Sequence, residues 1–209
     1  MTRPVSPHAT STDLVLHALR CIGFSGLAAV AAATGLPESD VESELIDLAV
    51  AGLVTHMAGP FGGWGITDAG RAEDARRITE ELDAAGAPAV VTEAFNGFLV
   101  LNPELLDLCT AWQTRSVDGS TTLNDHTDKA YDARVLDRLA DLDQRADAVC
   151  TELSGAMRRF QRYRSRLAHA LTRANAGELD YDTDGTAPYH TVWFQLHEDL
   201  LATLGRPRN

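Results

Sequence analysis

Apolar positions along this chain recur mostly at helical spacing, and the longest such run, residues 130–175, organises the rest. Tyr131, Val135, Leu139, Leu142, Ala146, Val149 and Leu153 fall three and four apart, which stacks them on one helix face. Ala156, Phe160, Tyr163, Leu167, Ala170, Leu171 and Ala174 continue an apolar face, opposite Arg158, Arg159, Arg162, Arg166, His169 and Arg173. Ser154-Gly155 interrupts the run, and glycine weakens a helix, so a helical hairpin turning there is predicted rather than one rod. The seam is wider than one hairpin needs, which predicts a homodimer through this half.

Before that run the pattern is finer. Helices are predicted over 13–22, over 27–34 closed by Gly35, and from Pro37 onward, where Val41, Leu45 and Leu48 form the apolar face. Gly52 stops the third helix. Residues 53–56 read as a strand, 59–63 (Gly-Pro-Phe-Gly-Gly) as a turn and 64–66 as the return strand. Thr67 caps a fourth helix reaching about Ala85, where Ala-Gly-Ala-Pro makes a linker. Beyond it, 90–101 and 104–114 read as two helices parted at Asn102-Pro103. A polar loop follows over 116–128, a second loop over 177–188, and a closing helix over 189–204 stopped by Gly205. Residues 1–10 read as a disordered lead-in.

Three helices, a β-hairpin and a helix is the order of a winged helix-turn-helix domain. The predicted fold is therefore mainly α: a winged helix over 11–86 and an all-helical domain over 88–206. LAAVAAATGLPESDVESELIDLAVAGLV at 27–54 and ITDAGR at 66–71 resemble the MarR-like family of winged-helix transcriptional regulators, across roughly the first 85 residues. The helical half is similar, in architecture only, to the dimerising tails of PadR-type regulators. The resemblance implies that the third helix enters the major groove of double-stranded DNA and that the wing reaches a neighbouring groove or the phosphates. On this sequence the implied contacts are Ser39 and Ser43 on the third helix, with Arg71, Arg76 and Arg77 after the wing.

Charge complicates that expectation. The formal net charge is −12, and residues 1–85 hold 5 basic and 12 acidic side chains, a net of −7. No lysine or arginine lies between Cys21 and Gly70, and the third helix carries Glu38, Asp40, Glu42, Glu44 and Asp47. DNA affinity comes largely from basic groups at phosphates, so any binding here is expected to be weak, salt-sensitive and dependent on Arg71, Arg76 and Arg77. The competing expectation is a winged helix reused for packing or protein contact. The three cysteines form no CxxC pair, the N-terminus has no signal-peptide core, and no run nears ~18 apolar residues. These features predict a soluble cytoplasmic protein with no membrane partner.

Candidate chemistry concentrates in the second half. The arginine face is expected to meet carboxylates of the preceding half-helix, such as Asp132 and Asp143. Arg164 falls on the wheel among Met157, Phe160, Leu167 and Leu171, so its guanidinium must find a buried carboxylate, a carbonyl or a ligand anion. In the closing helix, His190 and His197 lie within an apolar face of Tyr189, Trp193, Leu196, Leu200 and Leu204. Seven residues put the two imidazoles about 10 Å apart along the axis, too far to share a metal ion. They are either satisfied core residues or, with Arg164, the polar groups of a pocket lined by Trp112, Tyr189, Trp193 and Phe194 that binds a small molecule. Asp180, Asp182, Asp184 and Gly185 match the first half of a calcium loop, but Thr191 stands where a bidentate glutamate is needed, so an ordinary turn is expected. No GxGxxG, P-loop, GxSxG or HExxH occurs, and no cofactor is expected. The leading expectation is a transcriptional regulator whose helical domain dimerises and senses a small molecule. The rival is an enzyme or biosynthetic accessory protein with a structural winged helix and a pocket around His190, His197 and Arg164.

Overall fold

The computed structural model describes residues 10–117, 119–177 and 188–207. Among them the chain is mainly helical, with eight α-helices and two antiparallel hairpins. Helix α1, Ser11–Ile22, starts two residues earlier than the apolar pattern indicates, because Thr10 and Asp13 close a capping box. Helix α2, Leu27–Thr34, ends at Gly35 with φ +76°, and α3 spans Glu38–Val50. Strands β1, Val54–Met57, and β2, Gly63–Ile66, pair from Val54 opposite Ile66 to Met57 opposite Gly63, and Ser25 bridges to Trp64. Leu16, Leu19, Val30, Val41, Leu45, Leu48 and Val54 form one core.

Helix α4, Asp68–Ala85, is entered through a tight turn. Thr67 Oγ1 accepts the Gly70 N–H at 3.0 Å and donates to the Gly52 carbonyl at 2.9 Å. A Cβ on Gly70 would stand 2.0 Å from the Leu53 carbonyl oxygen, so only glycine lets the helix start pass the strand. Gly70→Ala is therefore expected to destabilise the fold by about 1–3 kcal/mol, the usual range for overpacking, measurable by urea denaturation.

A second core lies among the remaining helices: α5 at Pro88–Gln113, α6 at Lys129–Ala156, α7 at Gln161–Asn175 and α8 at Tyr189–Thr203. Two sequence expectations are corrected here. Residues 88–113 form one helix with Pro103 inside it, not two helices parted at Asn102-Pro103. An interior proline removes the bond to the carbonyl four residues back, at a cost of about 3 kcal/mol. That carbonyl belongs to Leu99, on the exposed side, where water can satisfy it. Continuity keeps Leu105 and Leu108 on the buried stripe of Phe95, Phe98 and Leu101. Within the continuous helix, Asn102 Oδ1 accepts the Trp193 indole N–H at 3.0 Å.

The segment read as a polar loop holds the second hairpin, β3 at Thr114–Val117 and β4 at Ser120–Leu123, with Thr114 opposite Leu123. The long pattern does turn back on itself, but later than Ser154-Gly155. Ser154 returns its hydroxyl to the Cys150 carbonyl at 2.6 Å and stays helical. The chain leaves the helix at buried Met157, passes through a single 3-10 turn, Arg158–Phe160, and enters α7. Helix α5 packs along α6, so the apolar seam is covered within one chain. No single helix among the described residues is long and apolar enough to cross a membrane. The expected lead-in over 1–9 and the loop carrying Asp180, Asp182 and Asp184 lie outside the described residues.

Candidate functional site

The third helix presents an acidic and apolar surface. Its outward side carries Glu38, Ser39, Asp40, Glu42, Ser43, Ile46, Asp47 and Val50, with Ile46 and Val50 respectively 51% and 85% exposed. Ser39 donates to the Asp40 carboxylate and Ser43 to the Ser39 carbonyl, so both hydroxyls are used locally. On the hairpin beside it, Met57 is exposed and Phe61 is 92% exposed. Of the three expected phosphate contacts, Arg71 lies open on the surface. Arg76 is clamped by Glu73 and Glu80 at 2.6–2.8 Å, and Arg77 by Glu73 and Asp13 at 2.7 and 2.6 Å. The hydrogen bonds from Arg76 and Arg77 pull the Glu73 carboxyl down to about 2, so this carboxylate stays charged at any ordinary pH. A phosphate would have to displace those carboxylates.

The residues expected around one pocket separate into three places. Arg164 forks onto Asp143 at 2.8 and 2.6 Å, with Asp147 at 3.2 Å from its Nε. Of the three partners the sequence allowed it, the buried carboxylate is the one present. Tyr189 donates to the same Asp143 at 2.9 Å; burial and the Asp143 charge push its phenol above the ordinary range and keep it a donor. His197 stacks on Phe98, ring centroids 5.3 Å apart, and Trp193 also stacks on Phe98 at 4.5 Å. Trp112, Tyr189 and His190 do converge on a cavity of about 130 Å³ between α5, α6 and the start of α8. Phe194 is exposed, and Arg164, Trp193 and His197 lie away from that cavity.

The most buried polar cluster is one that sequence reasoning missed. It joins the two cores where α1 and α4 meet α8 and the 3-10 turn. Asp199 is fully buried and accepts from Arg159, from Arg162 at 3.0 Å and from Tyr163 at 2.9 Å, with His17 Nε2 at 3.0 Å. His17 Nδ1 lies 3.0 Å from Asp74 of α4, and Arg159 Nε reaches Glu81 of the same helix at 2.9 Å. Thr203 completes the ring by receiving Arg159 Nη2. The arginine face of α7 and the preceding turn thus finds its carboxylate on α8, not on α6 as expected: Arg166 also pairs there, with Gln195. Burial alone would lower the His17 pKa, but its close partners, the Cys21 sulfur and above all the carboxylates of Asp199 and Asp74, outweigh it and raise it well above the ordinary value. Burial alone would raise Asp199, yet Arg159, His17 and Arg162 hold it well below the carboxylate range. With His17 charged, three cations (His17, Arg159, Arg162) face three carboxylates (Asp74, Glu81, Asp199), which is how such a cluster tolerates burial.

Two chemical readings of this cluster each meet an obstacle. Cys21 Sγ, His17 Nε2 and an Asp199 oxygen all lie within 4.8 Å of one another, a donor set suited to zinc. Arg159 Nη1 stands 3.1 Å from His17 Nε2 and donates to Asp199, so a guanidinium already fills the position a metal cation would take. Cys21, His17 and Asp74 are also ordered as a thiol, base and orienting carboxylate, at 3.5 and 3.0 Å. Cys21 is only 4% exposed, which shields its sulfur from a substrate carbonyl. The cluster is a fastener between the two cores.

Comparison with known proteins finds no matching family model, no matching curated protein and no matching solved structure.

Proposed function

We propose that this protein is a winged-helix regulatory module whose third helix and hairpin dock on a partner protein with a basic and apolar face, in place of duplex DNA. The observation that carries this reading is the outward side of α3. Glu38, Asp40, Glu42 and Asp47 surround exposed Ile46 and Val50, beside Met57 and Phe61. Full burial of four such side chains is worth about 1.5–3 kcal/mol each, whereas the carboxylates repel phosphate and attract lysine and arginine. The resemblance to MarR-like regulators supports the winged-helix element order, and the engagement of Arg76 and Arg77 by Glu73, Glu80 and Asp13 supports the loss of DNA contact.

Fluorescence anisotropy with a random-sequence duplex at low ionic strength is expected to show no binding at micromolar protein. A photo-crosslinker at position 46 is expected to capture a protein through a lysine- or arginine-rich surface, and Ile46→Asp with Phe61→Ser to weaken that complex at least tenfold. Duplex binding that falls steeply with salt and is lost in an Arg71→Ala, Arg76→Ala, Arg77→Ala variant would restore the transcriptional-regulator reading. The homodimer becomes, on this structure, a proposal about the outer side of α5, where Leu99, Val100 and Leu106 are exposed. Sedimentation of the wild type against Val100→Glu and Leu106→Glu tests it.

A further inference from the structure

We propose that the cavity between α5, α6 and the start of α8 binds an uncharged, single-ring aromatic molecule. This does not depend on what α3 docks on. The cavity holds about 130 Å³. An apolar cavity of about 150 Å³ accepts benzene and stays dry without it, so one six-membered ring fits this space and a two-ring system does not. The walls are aliphatic, from Leu105, Leu108, Val135 and Leu139, and Trp112 and Tyr189 supply ring faces for stacking.

The wall chemistry sets the charge of the ligand. Among the described residues, no arginine, lysine, aspartate or glutamate lines the cavity. A carboxylate there would lose its water and gain no cation, which disfavours benzoate-type anions. The Tyr189 hydroxyl is committed to Asp143 and offers only its ring. At the mouth stand Gln113 and His190. His190 is exposed as a residue, but the packing around its ring lowers its pKa, so the imidazole is neutral at pH 7 and can exchange one hydrogen bond. One hydroxyl on the ring can therefore be satisfied at the open end.

Cys109 of α5 forms part of the wall and is half-buried, whereas Cys21 and Cys150 are buried. A small thiol reagent such as methyl methanethiosulfonate thus reads this cavity in the native protein. Phenol is the probe, toluene tests the need for the hydroxyl, and benzoate tests charge. Phenol at about nine times its dissociation constant is expected to slow Cys109 modification about tenfold by mass action, and calorimetry is expected to give one site. Toluene is expected to protect more weakly and benzoate not at all. Leu139→Trp, which fills the cavity, is expected to abolish protection while circular dichroism stays native; Leu136→Trp serves if the first variant does not fold. Wild-type protein that shows neither protection nor heat with phenol and toluene overturns the proposal, whatever the variants do. Equal protection by benzoate overturns the ligand class, and protection that persists in a folded Leu139→Trp protein overturns the site.

Discussion

Asp199→Ala is expected to destabilise the native protein by about 3–5 kcal/mol, the largest effect of any single substitution outside the two hydrophobic cores. The side chain is fully buried and takes hydrogen bonds or ion pairs from four elements: His17 on α1, Arg159 in the 3-10 turn, Arg162 and Tyr163 on α7, and Thr203 on its own helix. Removing it strands two buried guanidinium groups, and an uncompensated buried charge is what makes breaking such a pair expensive. Arg145 offers the contrast. It bridges Glu104 and Asp141 at the surface, 43% exposed, and Arg145→Ala is expected to stay within about 0.2–1 kcal/mol. Urea denaturation of the two variants measures both. A third variant separates the cost of an orphaned charge from the worth of the pair: Asp199→Leu combined with Arg159→Met removes both partners and is expected to recover much of the loss. A loss below about 1 kcal/mol in Asp199→Ala would mean that water or rearranged side chains reach Arg159, and that the two cores are not fastened here.

Much of the fold was legible because local chemistry and tertiary packing agree there. Gly35, Gly52 and Gly205 stop their helices, Thr67 starts one, and the Gly-Pro-Phe-Gly-Gly turn makes the first hairpin. The second hairpin was missed although Asp118-Gly119 between Val117 and the Thr121-Thr122 pair is a turn signal. Its strands have no apolar alternation, so a period search passes over them. Pro103 and Ser154-Gly155 are local breakers that lose to packing: both sit on helices whose buried stripes continue past them.

The candidate site was less legible, and the reason lies in α8. That helix is buried on two sides. Leu196 and Leu200 face the bundle; of Gln195, Asp199 and Thr203, spaced by four, Gln195 meets Arg166 of α7, and Asp199 and Thr203 meet Arg159 of the 3-10 turn beside α1 and α4. Polar residues at that spacing read as a solvated stripe, and nothing in the sequence says that another unit covers them. His17, set within the otherwise apolar run 14–19 of α1, was the one hint at the opposing surface. For Arg164 the need for a buried counter-charge was legible, while the choice of Asp143, across the turn on α6, needed the structure.

The pH dependence of stability is expected to expose His17. Its folded pKa lies well above 6.5, so at pH 7 the native protein keeps a proton that the unfolded chain gives up. The contribution is complete below about pH 6.5 and drains away as pH rises through the folded pKa, at a limiting slope of about 1.4 kcal/mol per pH unit. Asp199 acts at the other end. Its folded pKa is depressed, so its contribution is present above the unfolded value of about 4 and is lost only as pH falls through the lower folded value. Together the two groups make the fold more stable at pH 6 than at pH 8. Asp74 on α4, Asp199 on α8, Cys21 on α1 and Arg159 in the 3-10 turn all face the imidazole; the guanidinium of Arg159 opposes the shift, and the two carboxylates favour it. Burial raises the Cys109 and Cys150 thiols, which gives a slope of the same sign, but only above the ordinary thiol value of about 8.5. Between pH 6 and 8 the lowered pKa of His190 acts with the opposite sign, so His17 is read by difference: urea denaturation of the wild type against His17→Gln is expected to show that the variant loses the downward slope as well as overall stability. Should the variant not fold, the carbon-bound protons of the His17 ring give the same answer by NMR in the wild type, with a titration midpoint expected well above 6.5. A His17 resonance that titrates near 6.5 would show an imidazole that accepts from Arg159 as a neutral ring, and the fall in stability from pH 6 to 8 would then be absent.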